Sequence, residues 1–130
     1  MVSRLWLFLL CLAGGCTTPG SVDRANELPY HCNDLVVIGR VTTLGGTSIT
    51  SPAPLPNWQS QWQLQMQINR VIRGSEQRPF VPATGVSHAQ IRQDRDFLAV
   101  LHPAEGGAYT IETAALWDVQ PRPRLAEPCS

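Results

Sequence analysis

Residues 58–69 read WQSQWQLQMQIN, an alternation with a period of two. Trp58, Trp62, Leu64, Met66 and Ile68 share one parity, with Ser60 its small polar member. Gln59, Gln61, Gln63, Gln65, Gln67 and Asn69 hold the other. That period places the two sets on opposite faces of a strand, whereas a helix would scatter the apolar side chains round its circumference. Such a strand would be about 40 Å long if straight, too long for a small flat sheet, so it is expected to curve as strands do in small barrels. Trp62 is expected in the core with Leu64, Met66 and Ile68. Trp58, next to a proline-rich segment, is the candidate ligand contact. Val71 and Ile72 continue apolar before Arg73, Gly74 and Ser75 turn the chain.

The same patterning predicts the other elements. Residues 35–44 (LVVIGRVTTL) are rich in β-branched and apolar side chains and form a strand that Gly45 and Gly46 end. Its dense apolar start implies cover on both faces, and Gly39 marks a bulge or a sharp bend. Residues 45–57, with Pro52, Pro54 and Pro56, are expected to be a long loop. Residues 76–87 read as irregular because of Pro79, Pro82 and Gly85, with a short helix over 87–93. Residues 96–102 (DFLAVLH) form a strand stopped by Pro103, and residues 105–107 turn. Residues 108–113 return as the second arm of a hairpin. Residues 115–119 are a further short strand, and residues 121–124 begin an extended tail.

The first residues change the picture from fold to location. Arg4 is followed by an unbroken apolar run, LWLFLLCL at 5–12, and then by small residues, AGGC at 13–16. That order is a secretory signal peptide, and the run is too short to span a bilayer. Leu12-Ala13-Gly14-Gly15-Cys16 resembles the lipobox of bacterial lipoproteins, whose cysteine is acylated and becomes the new N-terminus. Ala13 stands where that motif usually has leucine. Thr17 beside the cysteine resembles outer-membrane cargo. The alternative is cleavage by the general signal peptidase within 13–17, leaving a soluble protein. The cysteines bear on this choice. Cys11 leaves with the leader, and acylation of Cys16 would leave Cys32 and Cys129 as an even pair in an oxidising compartment.

Charge excludes some partners. Arginines and acids both number 10, and loss of the leader removes Arg4 and no acid. The scattered arginines form no basic stripe, so neither nucleic acid nor a membrane surface held through a basic helix is expected. Candidate chemistry is sparse. His31 adjoins Cys32, but no Cys-x-x-Cys pair or nearby second histidine completes a zinc pattern. His31, His88 and His102 lie in different segments, and no Gly-x-Ser-x-Gly elbow is present. Asp94 and Asp96, flanked by Arg92 and Arg95, read as a solvated charge cluster. No catalytic residue, cofactor or metal is expected.

The order of elements resembles the bacterial branch of the netrin-like or TIMP-like domains. The opening strand there has the form aDvVfvGkV, matched by Asn33-Asp34-Leu35-Val36-Val37-Ile38-Gly39-Arg40-Val41. A second strand ending V-x-x-V-x-K-G is matched by Ile68-Asn69-Arg70-Val71-Ile72-Arg73-Gly74, and a yLvfl strand by Asp96-Phe97-Leu98-Ala99-Val100-Leu101. The resemblance covers roughly residues 32–113 and implies an OB-type barrel. The activity best known in that family, metalloprotease inhibition, uses a free N-terminal cysteine amine in a Cys-x-Cys opening. Here Cys16 precedes Thr17 and Thr18, and lipidation would block the amine.

The expected protein is therefore all-β with minor α: a five-to-six-stranded OB-like barrel over 29–130, preceded by a signal peptide (1–15) and a flexible tether (16–28). A Cys32–Cys129 disulfide is expected. Its expected role is a non-enzymatic binding module of the bacterial envelope, anchored to the membrane by lipid on Cys16 at the periplasmic face of the outer membrane. Its partner is an unidentified envelope protein or ligand. The alternatives are a soluble periplasmic or secreted protein-binding or protease-inhibitor-like domain, and a hydrolase acting through His102.

Overall fold

The computed structural model describes residues 26–50, 58–87 and 89–130, and the side chains of all of these except 48–50, 58 and 59. The expected signal peptide, Cys16 and positions 17–25 of the tether lie outside the described residues. The strands are β1 (Glu27–Leu28), β2 (Leu35–Thr50), β3 (Trp58–Arg73), β4 (Phe80–Ser87), β5 (Phe97–Pro103), β6 (Tyr109–Leu116) and β7 (Arg124–Leu125).

Five of them close a barrel in the order β2-β3-β4-β6-β5, with β5 returning to β2. All neighbours are antiparallel except β4 and β6, which are parallel. The fold class is the all-β, OB-like barrel that the sequence implied. The long strand pairing that builds it carries register shifts at Val36/Val37, Ile38/Gly39 and Thr43/Gly45. Each shift bends and twists the ribbon, which lets two strands of 16 residues wrap a small barrel. Gly39 allows the tightest approach. A Cβ there would lie 2.1 Å from the Gln67 carbonyl oxygen and 3.0 Å from the Met66 sulfur.

The apolar runs of β2 and β5 are buried on both faces. Leu35, Val37, Val41, Met66, Val81, Ala99 and Leu101 fill the barrel interior. Val36, Ile38, Leu98 and Val100 point out of the barrel and form a second core with Tyr30. The first and last described segments cover it. β1 pairs in parallel with β7, and Leu28, Leu125, Trp117 and Cys129 pack on the outer residues. The Cys32–Cys129 disulfide fastens this cover. Fully burying such a side chain contributes roughly 1.5–3 kcal/mol, so the outer layer is a substantial part of the fold.

Several expectations are corrected. β2 does not end at Gly45 but runs to Thr50, because the ladder to β3 continues through Gly45↔Gln63 and Gly46↔Trp62. Gly46 leaves room for the Trp62 ring, which a Cβ would approach to 2.8 Å. Positions 51–57 of the expected loop lie outside the described residues. The stretch read as irregular contains β4, despite Pro82. That strand's far edge is bonded to β6 only at Ala83 and Thr84, so a missing N–H forfeits little. The described part of 87–93 holds no helix. Ala115 and Leu116 extend β6 against Leu98 and Phe97 instead of starting a new strand.

Candidate functional site

The barrel is closed least firmly between β4 and β6. After Ala83↔Tyr109 and Thr84↔Thr110 the two parallel strands diverge, and a cavity of about 390 Å³ opens between them. Its floor is the core itself, with Val41, Met66, Ala99 and Ile111, and its rim includes Val86, Ile91 and Phe97. Gly85 lines it too, and a Cβ there would meet Leu64 and Ile111 only at 3.5–3.7 Å. The missing side chain at 85 is thus part of the open space. Trp62 stands nearby, half-buried rather than in the core, its indole N–H donating to Ser87 Oγ at 3.0 Å. Ser87 in turn lines the cavity. A mainly apolar recess of this size, with few polar groups, is the usual form of a small-molecule site.

A second, polar constellation lies on the outer face of the barrel beside the disulfide. Asp34 ends a tight turn just before β2. Its N–H donates to the His31 carbonyl at 2.9 Å, and its Oδ2 accepts the His31 N–H at 2.7 Å. The pairing of Leu35 with Leu101 sets Asp34 next to His102 on β5. There the His102 ring nitrogen Nδ1 is 2.7 Å from Asp34 Oδ1 and 3.2 Å from Glu112 Oε1. Glu112 reaches this point because the β5–β6 register slips there: Val100 faces Thr113 and Leu101 faces Ile111, leaving Glu112 as the extra residue. Such a bulge re-aims a side chain.

His31 completes the group. Its Nε2 is 3.9 Å from Glu112 Oε2, and its ring centroid is 6.3 Å from that of His102. Ser130 Oγ sits 3.0 Å from His31 Nδ1, and the C-terminal segment is held there by two backbone bonds, Cys32 N–H to the Ser130 carbonyl and Ser130 N–H to the Tyr30 carbonyl. The Asp34 side chain is wholly buried, yet its ion-pair partner is a histidine and not an arginine. Elsewhere Glu27, Glu76, Asp94, Asp96 and Glu127 do pair with arginine. Arg73 and the Tyr30 hydroxyl both bond Glu127, and these contacts, Tyr30 first, hold its carboxyl below the usual range.

The residues singled out from sequence fare differently. Cys32 and Cys129 are bonded as expected. Cys16 lies outside the described residues. Trp58 pairs with Thr50 at the far end of the β2–β3 ribbon, and its side chain is outside the described set. His31 and His102, separate in sequence, meet in space with Asp34 and Glu112. Asp34 lay within the opening-strand motif but was not read as a site residue, and Glu112 carried no signal. Asp94 is a surface ion-pair partner of Arg92, at 2.9 Å, while Asp96 binds Arg40 at 3.0 Å. Comparison with protein-family models, curated proteins and solved structures finds no match to this chain.

Proposed function

We propose that this chain is an exported, non-enzymatic binding module of the bacterial envelope that takes a small, mainly apolar ligand in the mouth between β4 and β6. The observation that carries the reading is the cavity itself: an opening of about 390 Å³ into the core where two strands part, with a glycine at position 85 keeping it empty. Export is supported by the leader at 1–15 and by the disulfide, which suits an oxidising compartment. Lipid on Cys16 would tether the barrel to the periplasmic face of the outer membrane through the segment between Cys16 and β1. The likeness to netrin-like domains in strand order and motifs favours a binding role over catalysis, though without the free cysteine amine that protease inhibition needs.

Two measurements test the reading. Intact mass of the processed protein reports acylation at Cys16; a chain that starts elsewhere and carries no added lipid mass overturns the anchored form and leaves the soluble one. For the site, an anilinonaphthalene sulfonate probe should bind wild-type protein saturably. Gly85→Leu, which fills the mouth, should weaken that binding by about tenfold or more, a change of about 1.4 kcal/mol. Equal binding by a folded Gly85→Leu variant overturns the mouth as the ligand site. Ester or phosphate turnover that disappears in His102→Ala would instead make the protein a hydrolase.

A further inference from the structure

The polar constellation on the outer face has the composition of a coordination sphere. It brings together two imidazoles and two carboxylates, the donor set that suits zinc and its neighbours among the first-row divalent ions. One ligand atom each from His31, Asp34 and Glu112 lies within 4.8 Å of the others. His102 Nδ1 adds a fourth at 2.7 Å from Asp34 and 3.2 Å from Glu112. An ion bound at about 2.0–2.1 Å to each donor holds adjacent donors about 3–3.5 Å apart. The His102–Asp34 and His102–Glu112 distances are close to that spacing, whereas the His31 ring, 3.9 Å from Glu112, has to swing inward to close the sphere.

The surroundings are those that orient metal ligands. Ser130 Oγ lies 3.0 Å from His31 Nδ1; in the tautomer that carries the proton on Nδ1, Ser130 accepts it and the Nε2 lone pair is left on the side of Glu112. The backbone N–H of His31 fixes one Asp34 oxygen and leaves the other turned to His102. The disulfide pins both Cys32 and Cys129, the neighbours of His31 and Ser130, and so fixes the backbone on which two of these groups stand. The burial of Asp34 adds to this: its side chain is wholly buried, and among the described residues the ion-pair partner it meets is a histidine ring nitrogen, with no arginine to neutralise it. On the solvent side, the His31, Glu112 and His102 side chains keep between 30% and 57% of their surface exposed, so an ion has a path in.

We propose that His31, Asp34, His102 and Glu112 bind one divalent ion of the zinc class. Four protein donors leave no open position, so the ion is held as structural or carried metal and not as a catalyst. The proposal departs from the sequence expectation of no metal, and of the four residues only Glu112 also lines the apolar mouth.

The test uses the full chain, disulfide intact and stripped with EDTA, titrated calorimetrically with zinc chloride in a non-coordinating buffer. One equivalent should bind saturably. His31→Ala and Glu112→Gln, both at solvent-exposed side chains, should each weaken binding by about tenfold or more. Zinc should also raise the melting temperature of wild type and leave that of the double variant unmoved. Cobalt provides a reading without any variant, because binding by these donors produces the intense visible bands of a four-coordinate ion. Absence of saturable zinc uptake by wild type overturns the site. So does uptake of the same affinity by the folded His31→Ala/Glu112→Gln double variant, which would place the ion elsewhere.

Discussion

Glu76 shows what one side chain does for this barrel. It precedes β4, yet its carboxylate accepts from Arg78 Nη2 at 2.6 Å and from the Tyr109 hydroxyl at 2.9 Å, and the same arginine donates to the Gly107 carbonyl at 2.7 Å. Three segments are thereby joined at the turn between β5 and β6. These bonds, the Arg78 side chain first, lower the carboxyl from 4.5 to about 2. A depressed carboxyl stabilises the fold above its unfolded pKa, and that contribution disappears as pH falls through the folded value. Glu76→Gln should therefore melt below wild type at pH 7. The gap should stay level down to about pH 5 and narrow between 4.5 and about 2. Thermal melts across that range check it; a gap unchanged at pH 2 means the charge is not what stabilises the turn. Not every residue of this kind shows in sequence. Gly39 did, because a lone glycine in a β-branched run has few other uses. The bonds of Glu76 to Tyr109 did not, because two elements separate them in the chain.

Among elements, β3 was the most legible. Its glutamines at 61, 63, 65 and 67 are exposed while Leu64 and Met66 are buried, as a period of two requires. β4 was hidden because Pro79, Pro82 and Gly85 read as breakers; Pro79 lies just before the strand, and the sparse pairing with β6 makes Pro82 tolerable within it. The run LVVI in β2 announced cover on both faces but not what supplied it. A two-residue ribbon and a tail are too short to be recognised, since each forms only when the barrel is present to pack against. The outer core leads to an expectation that a bare barrel does not share. Ile38 points away from the interior, yet it is only 5% exposed. Ile38→Ala should cost about 2–4 kcal/mol in chemical denaturation, the loss of a core side chain and not of a surface one. A change below about 0.5 kcal/mol would mean that the β1–β7 cover does not hold this face from water.

At the scale of the whole molecule, fold class could be read from periodicity because burial pattern and strand length are local properties. The constellation of His31, Asp34, His102 and Glu112 could not. It depends on which residue of β2 faces which of β5, and on a bulge at Glu112, both settled only when the barrel closes. The disulfide ties these levels together. It spans 97 residues of chain, encloses every strand of the barrel, and holds the outer cover in place. Constraining an unfolded loop of that length is worth about 4–5 kcal/mol in the chain-entropy model. Cys32→Ser/Cys129→Ser should lose on the order of that amount. The loss should exceed the Ile38→Ala change, because the release also frees the tail that carries Leu125 and Ser130. It should have a local signature as well. With Cys32 and Ser130 no longer held together, the His31 ring loses its Ser130 contact, and its imidazole resonances should shift in the double serine variant while the interior methyls of Leu64, Met66 and Val81 keep theirs. Denaturation that matches wild type within about 0.5 kcal/mol would show that the cover closes without the bridge. Interior methyl shifts as large as those of His31 would show that the barrel itself, and not only its cover, depends on it.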